Sequence, residues 1–401
     1  MKLHIFQANH LPANVLGIVI LLLTLNGIWL PTPAYATKEL QEIPFPDNLS
    51  PGLNYLMGLA APGGRDAFDP GQIAEILAFV QKPKNRSGLY YTDDLFGSSS
   101  AYYEFDIYKD LNQVIKLSHN PDIPSFLLMP SSVRLSYWTE IDGRPQPLPR
   151  MWQLLPALEQ AVVVRGVEHI ENTPDIFSGA YYRYDLNRAL VLFKYQGRNL
   201  FISISKQTDI SDVGRKGLVL GSDDAWNYLY SDQKGLTKAG FGWVSSYMYD
   251  SFAVTVFDEI EPGKPLVRCG IFKWIRAGWA KLNVVNNRHI YSGLDRYAKT
   301  FKEIIEHPYL PGPAELEQLF SKIEKIPEPE LRTRTRTYFQ HLKDQYPTDE
   351  QLPRQWVADI LKNDRYVAQM TSEEMKSILV LQELKRILRK KYIVLDSKPS
   401  P

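Results

Sequence analysis

The sequence predicts an α+β protein, an antiparallel β-sheet of six or more strands followed by an all-helical C-terminal region. Three observations carry that expectation. Residues 101–276 hold runs with two-residue alternation or β-branched and aromatic character, and a three-strand meander is expected at about residues 179–207. After about Leu294 the apolar spacing becomes helical, so helices follow strands instead of alternating with them, against a doubly wound parallel sheet.

The elements follow in order. Residues 71–81 place Ile73, Ile76, Leu77 and Val80 at helical spacing, with Asp69-Pro70 as a start signal. Residues 101–108 and 132–138 alternate like strands with one wet face, and 161–168 add a further strand. In the meander, strands at 180–184, 189–195 and 199–205 are joined by Asp185-Leu186-Asn187-Arg188 and by the hairpin signal Gln196-Gly197. Residues 252–257 and 266–276 complete the strand set, and the glycine-rich residues 209–242 between the meander and these strands read as a loop, of a length that marks either function or a misreading. Helices are expected at 331–346, 353–362 and 371–392, and helical spacing also joins Phe301, Ile304 and Ile305, then Leu316, Leu319, Phe320 and Ile323. Thr371 and Glu374 have the spacing of a capping box.

The 401-residue chain is 44% hydrophobic and 23% charged, enough apolar material for a core and too much for disorder. Lys and Arg number 46 against 45 Asp and Glu, so no net field draws the molecule to nucleic acid, which is not an expected partner. Residues 1–36 have Lys2 as their only charged side chain, then an apolar run over 15–30, Pro31, Pro33 and Ala34-Tyr35-Ala36. That is the order of a secretory signal, with cleavage expected between Ala36 and Thr37. The apolar run spans about 24 Å as a helix, short of the roughly 30 Å hydrocarbon core; retention as an anchor is the alternative. Removal leaves acids and bases equal in number and no second span, so the mature chain is expected to be soluble, periplasmic or secreted. The expected organisation is a signal at 1–36, a β-rich domain at 37–294 and a helical region at 295–395. The single cysteine, Cys269, lies in an apolar run and reads as a small buried hydrophobe.

No phosphate loop, nucleophile elbow, zinc-protease helix, paired Cys-x-x-Cys or dinucleotide fingerprint is present, and no cofactor or metal is expected. His169 and Glu171 would point to the same face of a strand, where an imidazole and a carboxylate can share a proton or begin a metal site; a polar strand end is the plain alternative. Asp209 and Asp212 open a segment with Arg215 that could wall a cleft, or simply turn the chain. Trp226 and Trp243 lie among the aromatics of the glycine-rich stretch, where they could stack on a ligand or fill a core. Two functions follow. The first is a non-enzymatic envelope protein binding an apolar (lipid) or glycan ligand. The second is a hydrolase of an envelope polymer or lipid, with catalytic candidates His169, Glu171, Asp209 and Asp212 and ligand contacts at Arg215, Trp226 and Trp243. Convergence of His169 and the 209–216 segment in one cleft would favour the second; an apolar hollow against the sheet would favour the first.

Overall fold

The computed structural model describes residues 40–64, 67–84, 88–92, 97–176, 178–238, 242–345 and 365–395. The expected signal and its cleavage point, and the helix expected at 353–362, lie outside them. The chain divides into two units, Met1–Gln41 and Glu42–Pro401, and the second is described below.

A nine-stranded sheet organises this unit: β1 (Gln41–Pro44), β2 (Gly88–Tyr91), β3 (Ser99–Ile107), β4 (Val133–Ile141), β5 (Val162–Asn172), β7 (Arg183–Tyr195), β8 (Arg198–Gln207), β13 (Tyr247–Glu259) and β14 (Val267–Gly278). Their order is β1-β2-β3-β14-β13-β8-β7-β5-β4, and the registered pairs from β2 to β4 are antiparallel. Both faces of its centre are buried, which explains why the central strands read as apolar runs as much as alternations.

On one face Val191, Phe193, Ile202, Ile204, Val254, Val256, Phe272 and Trp274 pack against α1 (Ser50–Ala60) and α2 (Ala74–Gln81). The Asp69 carboxylate caps the turn before α2 by accepting from the Gly71 amide at 2.8 Å, as its place before Pro70 leads one to expect. On the other face Leu190, Leu192, Phe201, Phe257, Cys269 and Ile271 share a core with α3 (Leu111–Ser118), α4 (Asn287–Ile305), α5 (Pro313–Glu324), α6 (Glu328–Gln345) and α8 (Ser372–Ile387). α7 (Arg365–Gln369) precedes α8, whose capping box between Thr371 and Glu374 is complete. Cys269 is fully buried, and burial pushes its thiol well up. No helix among the described residues is long and apolar enough to cross a membrane.

Two expectations need correction. Residues 179–207 are not a three-strand meander: β6 (Ala180–Tyr181) pairs in a separate small sheet, and β7 runs unbroken through Asp185-Leu186-Asn187-Arg188 before the Gln196-Gly197 turn. The polar run stays in a strand because its side chains have partners: Asp185 meets His169, and Arg188 donates to Glu168 and Ser203. Residues 209–242 are likewise not a loop. They form β9 (Arg215–Val219) and β10 (Tyr228–Lys234), joined with β6 in a three-stranded sheet, while β11 (Leu236–Lys238) pairs with β12 (Gly242–Val244). Glycine serves close approach here; a Cβ on Gly217 would stand 2.5 Å from Pro174.

Close approach also governs the β4 edge. A Cβ on Gly166 of β5 would stand 2.2 Å from the Glu140 carbonyl oxygen, beside the irregularity in β4 pairing. Gly166→Ala is expected to lower stability by about 1–3 kcal/mol through overpacking; an unchanged urea midpoint would show that the edge strand yields freely.

Candidate functional site

A cavity of about 1610 Å³ lies between the sheet and α4, α5 and α8, reaching the end of α3. Most small-molecule sites are roughly 300–1,000 Å³. The hollow originates in strand alternation. Where β8 and β13 turn Ile202, Ile204, Val254 and Val256 to α1 and α2, they turn Ser203, Ser205, Ala253 and Thr255 to the cavity. These short side chains leave the centre of that face unfilled, while Phe257, Ile271, Ile275, Leu294, Phe301 and Phe320 supply apolar walls.

Register sets the polar groups in a line. Lys273 of β14 is opposite Ala253, Ala253 is opposite Ser205, and Ser205 is opposite Arg188 of β7. Arg188 donates to Glu168 and to the Ser203 hydroxyl, each at 2.6 Å. Lys273 donates to the Ser251 hydroxyl at 2.7 Å and forms no salt bridge among the described residues. Asp250, whose charge it feels, is paired with Lys206 at 2.6 Å. Burial, reinforced by the Arg188 charge, brings the Lys273 ammonium down to about 8. His119, also on the lining, is held neutral: burial and then the Arg188 charge take it to about 3. Burial raises the Tyr184 phenol, which remains protonated at neutral pH. The hydroxyls of Ser205, Thr255, Tyr184 and Tyr297 face this space without a side-chain hydrogen bond among the described residues.

The residues singled out in the sequence fall elsewhere. His169 Nε2 is 3.8 Å from a Glu171 oxygen and its Nδ1 is 2.7 Å from Asp185, so the strand does bring these groups together. Neither His169 nor Glu171 lines the cavity, which takes Glu168, Ile170 and Asn172 from the same strand. Glu171 is 4% exposed and belongs to an ionic cluster in which Arg134 lies 3.7 Å and Arg183 3.0 Å from its oxygens, while both arginines also donate to Glu374 of α8. Burial alone would raise its carboxyl; Arg134, the neighbouring His169 and Arg183 overcome that and hold it at about 2. The Glu171 carboxylate, opposed by burial and aided by Asp185, raises His169.

Asp209 and Asp212 are exposed and form no ion pair with His169 among the described residues, although the Asp212 amide donates to the Arg183 carbonyl at 3.1 Å. Arg215 is half-buried on β9 with its Nε buried and unbonded, and Trp226 is wholly buried under Lys390, 4.3 Å from its ring. Trp243 lies in β12, and its side chain is outside the described residues. Of these candidates, none with a described side chain lines the cavity. No group of three or more His, Cys, Asp or Glu among the described residues is arranged to hold a metal. The groups that do line it, Arg188, Lys273, Ser203, Ser205 and Thr255, had one available signal: small polar residues alternating with Ile and Val inside central strands. No family model, curated protein or solved structure matches this chain.

The ionic cluster predicts an acid limb in stability. Because Glu171 is depressed below its ordinary value of 4.5, its contribution is present above that pH and is lost as pH falls toward about 2. The full span is on the order of 3 kcal/mol. Glu171→Gln should destabilise the protein at pH 7, by about 3–5 kcal/mol, since it leaves buried arginine charge uncompensated, and should flatten that acid limb. Chemical denaturation between pH 3 and 7 reads both; an acid limb as steep as that of the unaltered protein would assign it to other carboxylates.

Proposed function

We propose that this protein is a non-enzymatic binding protein, exported to the cell envelope or medium, whose cavity holds a large and partly apolar ligand. One observation carries the reading: the centre of a buried sheet face is given short side chains and is left hollow on a scale of about 1610 Å³. A core selected only for stability would fill that space, because each unfilled volume forfeits contacts and costs stability. The apolar walls favour a hydrocarbon-bearing ligand over a glycan, and Trp226, one of the two tryptophans weighed for stacking on a ligand, is committed to the core. Export rests on the order of residues 1–36 alone.

The hydrolase reading has less support. His169 and Glu171 are bound into ion pairs and are not among the cavity's lining residues, and neither are Asp209 and Asp212. A general acid or base must come within hydrogen-bond reach of its substrate.

Filling the floor tests the binding reading. Ala253 sits between Lys273 and Ser205, so Ala253→Phe projects a ring into the cavity without touching the opposite core. Titration with an environment-sensitive fluorescent acyl probe should give saturable binding that weakens about tenfold or more in this variant, a loss of about 1.4 kcal/mol, with a melting temperature close to that of the unaltered protein. Equal affinity in both proteins, or no binding to either, would overturn the assignment.

A further inference from the structure

We propose that Lys273, Ser205 and Arg188 form an anion-recognition subsite on the cavity floor, which takes the singly charged acidic head group of an amphipathic ligand. This rests on the binding function proposed above and deepens it. Of the cavity's other arginines and lysines, Arg150 pairs with Asp122 at 2.5 Å, Lys376 with Glu324 at 2.6 Å and Arg296 with Asp223 at 2.5 Å, while Lys325 is exposed to solvent, which answers its charge. Lys273 is not answered: among the described residues its hydrogen bond is to the neutral Ser251 hydroxyl, and the neighbouring carboxylate of Asp250 is taken by Lys206. A charge withdrawn from water without a counter-charge is costly, and proteins retain one chiefly where a partner arrives from outside.

The charge count sets the ligand's valence. Arg188 is matched by Glu168, which leaves one uncompensated positive charge, on Lys273. A monoanion neutralises that charge, whereas a dianion would leave a buried negative excess. Geometry adds the donors. An ammonium has three, of which one is used on Ser251, and the Ser205 and Thr255 hydroxyls stand on the adjoining strands without side-chain hydrogen bonds among the described residues. Ala253 and Ser205 leave the line between the two cations open to a head group. Ile271 and Ile275, two residues to either side of Lys273 on the same strand face, begin apolar wall immediately beside it. A polar end seated at Lys273 thus places a hydrocarbon chain along Phe257 and Phe301.

The test compares chains that differ only in the head. Calorimetric titration of the full chain with oleate and with oleyl alcohol should show oleate bound about tenfold or more tightly, the scale of a charge-assisted hydrogen bond. Lys273→Met should erase that preference while leaving alcohol affinity unchanged, and its melting temperature should equal or exceed that of the unaltered protein. Lys273→Arg should restore part of the preference. A parallel pair, dioleoyl phosphatidylglycerol against dioleoyl phosphatidylcholine, separates the sources: a preference for the former without one for oleate assigns the monoanion as a phosphodiester instead of a carboxylate. If alcohol and oleate bind equally, the two phospholipids bind equally, and Lys273→Met changes nothing, the anion subsite is overturned while the cavity stands as a binding site. If none of the four binds, the binding function itself is overturned.

Discussion

A sheet buried on both faces must be matched by helices on both, and in this protein the two faces are matched differently. Toward α1 and α2 the central strands present branched and aromatic side chains that pack into one buried cluster. Toward α4, α5 and α8 the same strands present Ser203, Ser205, Ala253 and Thr255, which cannot. Strand alternation makes the two faces independent, so one can be optimised for packing while the other holds space. The hollow, the half-buried Lys273 ammonium and the polar line across the strands all depend on that division.

The full face supplies what the hollow face gives up. Phe193, Phe252, Phe272 and Trp274 are each at most 2% exposed, and large buried aromatic side chains dominate core energetics. At the β4–β5–β7 end, the cluster of Arg134, Glu171, Arg183 and Glu374 ties α8 to the sheet through charge instead of hydrocarbon. Such a cluster gains little over apolar packing, but it is severely sensitive to loss of one member. It also fixes geometry, because Glu374 both completes the α8 capping box and accepts from two strand arginines. The helix that lines one wall of the cavity is therefore positioned by its first turn.

Much of the fold was legible in the sequence wherever a local rule decided it. The capping box at Thr371 and Glu374, the turn at Gln196-Gly197, where φ is positive at both residues, and the helical spacing of residues 73–80 all reflect neighbours in the chain. Reading failed where a distant partner decided. Asp185-Leu186-Asn187-Arg188 resembles a turn until β5 and β8 supply His169, Glu168 and Ser203 as partners. Lys385 belongs to the run of basic residues that ends the last helix, yet it is wholly buried, donates to Asn227 at 2.6 Å and is brought down by burial to about 7. The candidate site was less legible than the fold, since Arg188, Ser205, Ala253 and Lys273 come from four strands and meet only through register. His169 and Glu171 were visible because they are local, and locality brought them together without bringing them to the cavity.

The central claim is that the hollow face is occupied by a ligand in the working protein. Native mass spectrometry of the full chain, purified without detergent from its own host and again after incubation with acyl lipid, measures that occupancy directly. An occupied hollow gives a population carrying a single adduct that organic solvent releases as an amphiphile, and the adduct is lost when the floor is filled at Ala253. A chain that stays at its bare mass in both preparations, or an adduct indifferent to the filled floor, would contradict that occupancy.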